Sequence, residues 1–305
     1  METIAFDVVT GAFSYTGKYI TERLLSMGRS VKTLTGHPDN PDPFGGKVSV
    51  APYDFDNPGE LTGSLQGADV LYNTYWIRFA KGSLTHDKAV ENTRTLIKAA
   101  EDAGVRRIVH VSITNASSDS RLPYFRGKWL VEEAVKGSKL SHAIIRPTVI
   151  FGKEDILVSN IAWTLRRFPF FTMFGRGDYR IQPIFVEDMA DIVVNAGQQT
   201  DNTAIDAVGP ETLTFEEMVR LIADKIGVRA RFVHLRPGLA LFLSSLVGYV
   251  VRDVTLTRDE IDGLMANLLV SEGQPTGHTR LSDWLGENAD SLGRGYVSEL
   301  ERHYR

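Results

Sequence analysis

Cysteine is absent from the 305 residues, which excludes disulfides, thiolate metal sites and a cysteine nucleophile. Basic runs are absent too. Arg106-Arg107 and Arg166-Arg167 are isolated pairs in a chain of formal charge -4 at pH 7. Binding along a phosphate backbone needs clustered Lys and Arg, so nucleic acid is not an expected partner. A membrane-spanning helix needs about 20 apolar residues. The most apolar stretch, residues 238–251, lies between Arg236 and Arg252 and falls short of that. Apolar residues begin close behind Met1, so no signal peptide is expected and the cytoplasm is the expected compartment. No metal site, internal repeat or low-complexity tract is expected either.

What stands out is Val8-Val9-Thr10-Gly11-Ala12-Phe13-Ser14-Tyr15-Thr16-Gly17. It reads as a strand ending in a glycine turn that opens a helix. Such a turn aims backbone N–H groups and the positive end of the helix dipole at one spot, where a pyrophosphate fits. Gly11 would make the turn, and Gly17 would let the helix pack close to the strand, with Phe13, Ser14, Tyr15 and Thr16 lining the site between them. Ser14 stands where the usual pattern has its middle glycine, and its hydroxyl is expected to reach a phosphate oxygen.

The first half alternates apolar runs with helical patterns. Strands are expected at 4–10, 31–35, 48–51, 70–74, 107–113 and 142–146, with helices at 17–27, 58–65, 84–103 and 124–135. Strands separated by helices of this length imply parallel crossovers. The expected fold is therefore α/β, a doubly wound parallel (Rossmann-type) sheet covered on both faces. A smaller, mostly helical C-terminal lobe is expected beside it. Residues 1–152 form the dinucleotide-binding domain, to which the chain returns around 180–208, and 153–179 with 209–305 form the substrate-side lobe.

After Gly152 the alternation stops. Trp163, Phe168, Phe170, Phe171, Phe174 and Tyr179 cluster along the chain and read as a core under a loop, or else as the wall of an apolar pocket. Thr214-Phe215-Glu216-Glu217 and Thr257-Arg258-Asp259-Glu260 match the capping box that starts a helix. Residues 238–251, apolar on every side, imply burial within the lobe. The alternatives are a homodimer contact or a peripheral contact with a membrane surface or partner.

Tyr124 and Lys128 stand four apart, on one face of a helix. A cation held beside a phenol favours the phenolate, which suits proton exchange with a substrate hydroxyl or carbonyl. Lys128 is also placed to donate to the ribose of a nicotinamide. The preceding strand ends Val111-Ser112-Ile113-Thr114, where Thr114, or Ser112, would orient the substrate oxygen; alternatively, these hydroxyls satisfy local backbone groups.

These residues give the chain a resemblance to the extended and atypical short-chain dehydrogenase/reductase superfamily, the epimerase/dehydratase-like group. It rests on Thr10-Gly11 with Gly17, Asp54-Phe55, Asn92, Val111-Ser112, Tyr124 with Lys128, Arg146-Pro147, Phe151-Gly152, and Val186 with Asp188. Within that superfamily, residues 146–155 and 182–188 are most similar to proteins like the nucleotide-binding accessory subunit of respiratory complex I. The resemblance implies that Asp54 and Phe55 contact the adenine, that Asn73 and Thr74 lie along the cofactor, and that Pro147 borders the nicotinamide. Asp54 could instead start a turn, and Arg146 could pair with a carboxylate. Epimerases of this group hold sugar-nucleotide phosphates with an arginine where this chain has Ile181. The second strand ends Thr35-Gly36-His37 without the acid that grips the ribose of NAD, so NADP is expected over NAD, with His37, Lys32 and Lys18 as candidate 2′-phosphate partners. Two functions follow. One is an NAD(P)-dependent oxidoreductase or epimerase/dehydratase-like enzyme acting on a small-molecule carbonyl or secondary alcohol, with Tyr124, Lys128 and Thr114 catalytic. The other is a protein that binds NADP(H) without turnover, as a structural or redox-sensing partner.

Overall fold

Runs such as Arg107 to Val111, buried at every position, are what a strand covered on both faces requires. The computed structural model describes residues 6–254 and 256–300. In chain order its elements are β1 (Phe6–Thr10), α1 (Tyr15–Ser26), β2 (Ser30–Thr35), β3 (Val48–Pro52), α2 (Pro58–Leu65), β4 (Ala68–Asn73), α3 (His86–Asp102), β5 (Arg107–Val111), α4 (Pro123–Lys136) and β6 (Ser141–Pro147). There follow β7 (Ile150–Phe151), α5 (Leu157–Arg167), β8 (Phe170–Phe174), β9 (Arg180–Ile181), β10 (Ile184–Phe185), α6 (Val186–Gly197), β11 (Thr203–Ala207), β12 (Leu213–Thr214), α7 (Phe215–Lys225), β13 (Arg231–Leu235), α8 (Pro237–Val251), α9 (Arg258–Met265) and α10 (Leu281–Asn288). The chain divides into two compact units, Met1–Pro147 with Val186–Ala207, and Thr148–Phe185 with Val208–Arg305.

The first unit is the expected doubly wound α/β layer. Its seven strands run in the order β11-β6-β5-β4-β1-β2-β3, and every neighbouring pair is parallel. The order reverses between β1 and β4, so the C-terminal ends of these two strands flank the crevice where such sheets take ligands. Val8, Leu34, Leu71, Ile108 and Ile144 form one core with Leu61, Leu65, Leu96 and Val131 of α2, α3 and α4. At the opposite, N-terminal ends, the fully buried Asp7 accepts two hydrogen bonds from Arg29, at 2.7 and 2.9 Å. Arg29 also reaches Asp69 at 2.9 Å, and Arg106 binds Asp69 at 2.6 Å.

The second unit is built from α5, α7, α8, α9 and α10 with three two-stranded ribbons. Phe174, Tyr179 and Phe215 stack in its core, with ring centroids 5.3 and 5.4 Å apart along the series. Phe151, Ile181 and Trp284 are buried with them. The aromatic cluster is thus largely core, although Phe168 and Phe170 remain exposed. Both capping boxes form: Thr214 and Thr257 each exchange hydrogen bonds with the glutamate three residues on.

Residues 238–251 depart from the expectation of burial. α8 buries Ala240 and Gly248, while Leu239, Phe242 and Tyr249 are 50%, 59% and 87% exposed. The helix packs on β8, and uniform apolar character does not by itself require cover on every side.

Candidate functional site

The turn after β1 is built by its glycines. Gly11 has φ +67°, which L side chains rarely adopt, and a Cβ on Gly17 would lie 2.1 Å from the Gly11 carbonyl oxygen. Only hydrogen fits at position 17, which is what brings the start of α1 against the turn. Gly11 N–H donates to Leu34 O at 2.8 Å, and Ala12 N–H to the Thr33 hydroxyl at 3.0 Å, fixing the turn to β2. Ser14 is the N-cap of α1, yet its side chain makes no capping bond. Its hydroxyl instead donates to Gly11 O at 2.6 Å. In this conformation the hydroxyl proton is directed at that carbonyl. The consequence is favourable all the same: the first N–H groups of α1 have no carbonyl of their own helix to bond, and Ser14 does not occupy them. Phe13, whose ring lies 6.2 Å from that of Phe44, together with Tyr15 and Thr16, is half-buried around this turn.

The ends of β1, β4 and β5 are knitted together. Thr74 N–H and Tyr75 N–H donate to the Thr10 hydroxyl at 2.7 and 3.0 Å, and the Thr74 hydroxyl donates to Thr10 O at 2.5 Å. Asn73 is fully buried; its Oδ1 accepts from Tyr75 N–H at 3.1 Å. A backbone N–H only donates, so the Asn73 amide nitrogen faces Nδ1 of His110, 3.1 Å away. That leaves the His110 proton on Nε2. Burial, and then the charge of Lys128, push the imidazole well below its usual range, so His110 is neutral at physiological pH.

Lys128 is almost inaccessible, and its ammonium donates to Val111 O at 2.8 Å. The Trp76 ring covers it, with Nζ 4.8 Å from the ring centroid. Burial pushes its pKa down to about 7, partly opposed by the charge of Glu132. Trp76 can lie so close because position 127 is glycine: a Cβ there would be 2.8 Å from the indole. Tyr124, half-buried, packs edge-on against Trp76 and His86, each at 5.9 Å between centroids. Ser112 is engaged elsewhere, its hydroxyl donating to Glu132 Oε1 at 2.6 Å. Arg146 grips the same carboxylate in a fork, at 2.9 and 2.6 Å, which is the carboxylate pairing weighed for it. Thr114 is buried, and its N–H donates to Pro147 O at 3.0 Å, tying the segment after β5 to the end of β6.

The adenine-side candidates stand apart from these. Asp54 accepts from Asp56 N–H at 3.0 Å, the turn role weighed for it. Phe55, Tyr53 and Tyr75 form an aromatic triangle with centroids 5.0 to 5.4 Å apart. Gly36 and His37 are exposed at the end of β2. Lys32 does not join them, since its ammonium donates to Ser64 O at 2.9 Å over the Phe6 ring. Trp76, His110, Glu132 and the Tyr53–Tyr75 pair were not singled out from sequence. Glu132 alone carried a usable signal, lying one helical turn beyond Lys128. In the second unit, a cavity of about 390 Å³ is lined by Lys153, Ser159, Trp284, Asn288 and residues 291–297. Ile181, at the position of the epimerase arginine, is a core residue, and Arg180 pairs with Glu272 instead.

A family model described as NAD(P)H-binding matches residues 11–184, more than half of the chain. The chain belongs to this NAD(P)H-binding family. It is 25% identical over 284 residues to the mitochondrial NADH dehydrogenase (ubiquinone) 1 alpha subcomplex subunit 9 of Arabidopsis thaliana, covering 87% of this chain and 70% of that one. Among solved structures, the triphenylmethane reductase of Citrobacter sp. complexed with NADP(H) aligns with TM-score 0.77 at 15% identity, over 93% of this chain and 99% of that one. A nucleoside-diphosphate-sugar epimerase from Staphylococcus aureus aligns with TM-score 0.73 at 16% identity, over 92% and 99%. The resemblance to epimerase-like dehydrogenases and to the complex I subunit is thereby borne out, the solved structures speaking for the fold alone.

Proposed function

We propose that this protein holds NADP(H) at the Gly11–Gly17 turn without serving as a tyrosine-dependent oxidoreductase. The dinucleotide's pyrophosphate sits against the N-terminus of α1, the end of β4 near Asn73 and Thr74 lies along it, and Pro147 borders the nicotinamide. The bound nicotinamide would supply hydride chemistry. The observation that carries the non-catalytic reading is the enclosure of Lys128: it is buried, with one ammonium N–H donated to Val111 O and the Trp76 ring over it. Burial also disfavours the charged form of that side chain, which makes it a poor cation for stabilising a phenolate. The curated relative from Arabidopsis thaliana is named as a subunit of a larger assembly, which suits a cofactor-holding role. NADP is favoured over NAD because the end of β2 presents Gly36 and His37 and no acid to repel a 2′-phosphate.

The second reading is reduction of a carbonyl by NADPH, and the half-exposed Tyr124, one helical turn from Lys128, favours it. The two separate in one experiment. NADPH oxidation is followed with quinones, aldehydes and ketones, beside calorimetric binding of NADPH and NADH. Binding of NADPH with no turnover is the expected result. Turnover that falls about 100-fold in Tyr124→Phe would establish the enzyme.

A further inference from the structure

We infer that the exposed face of α8 docks on an anionic lipid surface. No charged residue occurs in the 15 residues of this helix. Among its described side chains, the large apolar ones exposed are Leu239, Phe242 and Tyr249, which are spaced by three and then seven residues and so form one stripe along the helix. Ala240 and Gly248 face inward. β8, on which α8 packs, and its partner strand β13 also carry exposed apolar side chains, Phe170 and Val233.

Charge decides the occupant. From residue 226 to residue 252 the chain has no Asp or Glu, although its net charge is negative. The same stretch carries Arg229, Arg231, Arg236 and Arg252, all exposed, two of them bracketing α8. Glu216, which reaches β13, is held by His234 at 2.9 Å and by Arg220 at 2.5 Å. Asp253, next along the chain, is turned inward to the backbone N–H groups of Glu299 and Leu300. An apolar stripe between arginines matches acyl chains bordered by phosphate headgroups, and tyrosine suits the boundary between them. A second copy of the chain would bring arginine against arginine, which disfavours self-association through this face. Among the described residues no helix is long and apolar enough to cross a membrane, so the contact lies along the surface.

Flotation of the full chain with vesicles tests this. With phosphatidylcholine vesicles containing phosphatidylglycerol the protein floats; with phosphatidylcholine alone it stays below. Phe242→Asp lowers the bound fraction about tenfold or more. Arg236→Gln with Arg252→Gln lowers it too, as does raised salt, while circular dichroism and Tm stay at the wild-type values. No flotation with anionic vesicles, or flotation indifferent to Phe242→Asp, would overturn the inference. So would a concentration-dependent dimer that Phe242→Asp abolishes, since that makes the occupant a second copy.

Discussion

Lys128 donates its ammonium proton to the carbonyl oxygen of Val111, 2.8 Å away at the end of β5. This bond engages a side chain that the sequence places beside Tyr124 and the nicotinamide ribose. Its buried charge has a measurable signature. The folded-state pKa, about 7, is below the unfolded value of ~10.4. Below pH 7 both states hold the proton, and the cost of burying the charge is felt in full. Above it the unfolded state binds more protons, so stability rises with pH through that window. Urea unfolding between pH 6 and pH 10 should show this rise in the wild type, and a flatter profile in Lys128→Met. Equal slopes in the two proteins would place the ammonium in solvent.

Tyr124 is held by ring contacts with Trp76, His86 and Phe125. Tyr124→Phe keeps all three. NADPH affinity in this variant, measured by calorimetry, should stay within about twofold of wild type, because a surviving ring leaves the packing intact.

At the other end of the sheet the carboxylate of Asp7 is fully buried and bonded twice by Arg29. Removing one partner strands a buried charge. Arg29→Met should lose about 3–5 kcal/mol of stability in urea, well beyond the effect of a surface substitution. Asp69 adds a pH dependence. Its hydrogen bond from Arg106 leads the causes holding its pKa below the ordinary value. The stabilisation is therefore present above the unfolded value of ~3.9 and is lost as pH falls through the folded one. Asp69→Asn should flatten the acid limb of the stability profile.

The strands of the first unit were legible because a sheet buried on both faces leaves runs rich in Val, Ile and Leu, as at Val8-Val9, Val70-Leu71 and Ile144-Ile145. Helix starts were legible where a capping box fixed them, as at Thr214 and Thr257. The glycine turn was legible because positions 11 and 17 admit nothing larger. The direction of a side chain is another matter. Spacing puts Tyr124 and Lys128 on one face, but whether the ammonium turns to solvent or to Val111 depends on Trp76, which joins it from a different crossover. Ser112 likewise loses its hydroxyl to Glu132, a partner that only the packing of α4 on β5 supplies. His110 sits among apolar strand residues and acquires its meaning from Asn73 on the neighbouring strand. The exposure of α8 was hidden for a related reason: an all-apolar helix reads as buried, while what covers it is decided elsewhere.

Binding of NADPH at the first turn is tested most directly by calorimetric titration of the wild type and of Ser14→Asp. Aspartate is a good N-cap, so this variant keeps the helix start while placing a negative charge where the pyrophosphate sits; Gly17→Val, by contrast, forces a Cβ to within 2.1 Å of the Gly11 carbonyl oxygen. The wild type should bind NADPH more tightly than NADH. Ser14→Asp should weaken NADPH binding about tenfold or more, the scale of a like-charge contact in a partly buried site, with its Tm no lower. A wild type that binds neither dinucleotide, or a Ser14→Asp protein that binds NADPH as the wild type does, would contradict it.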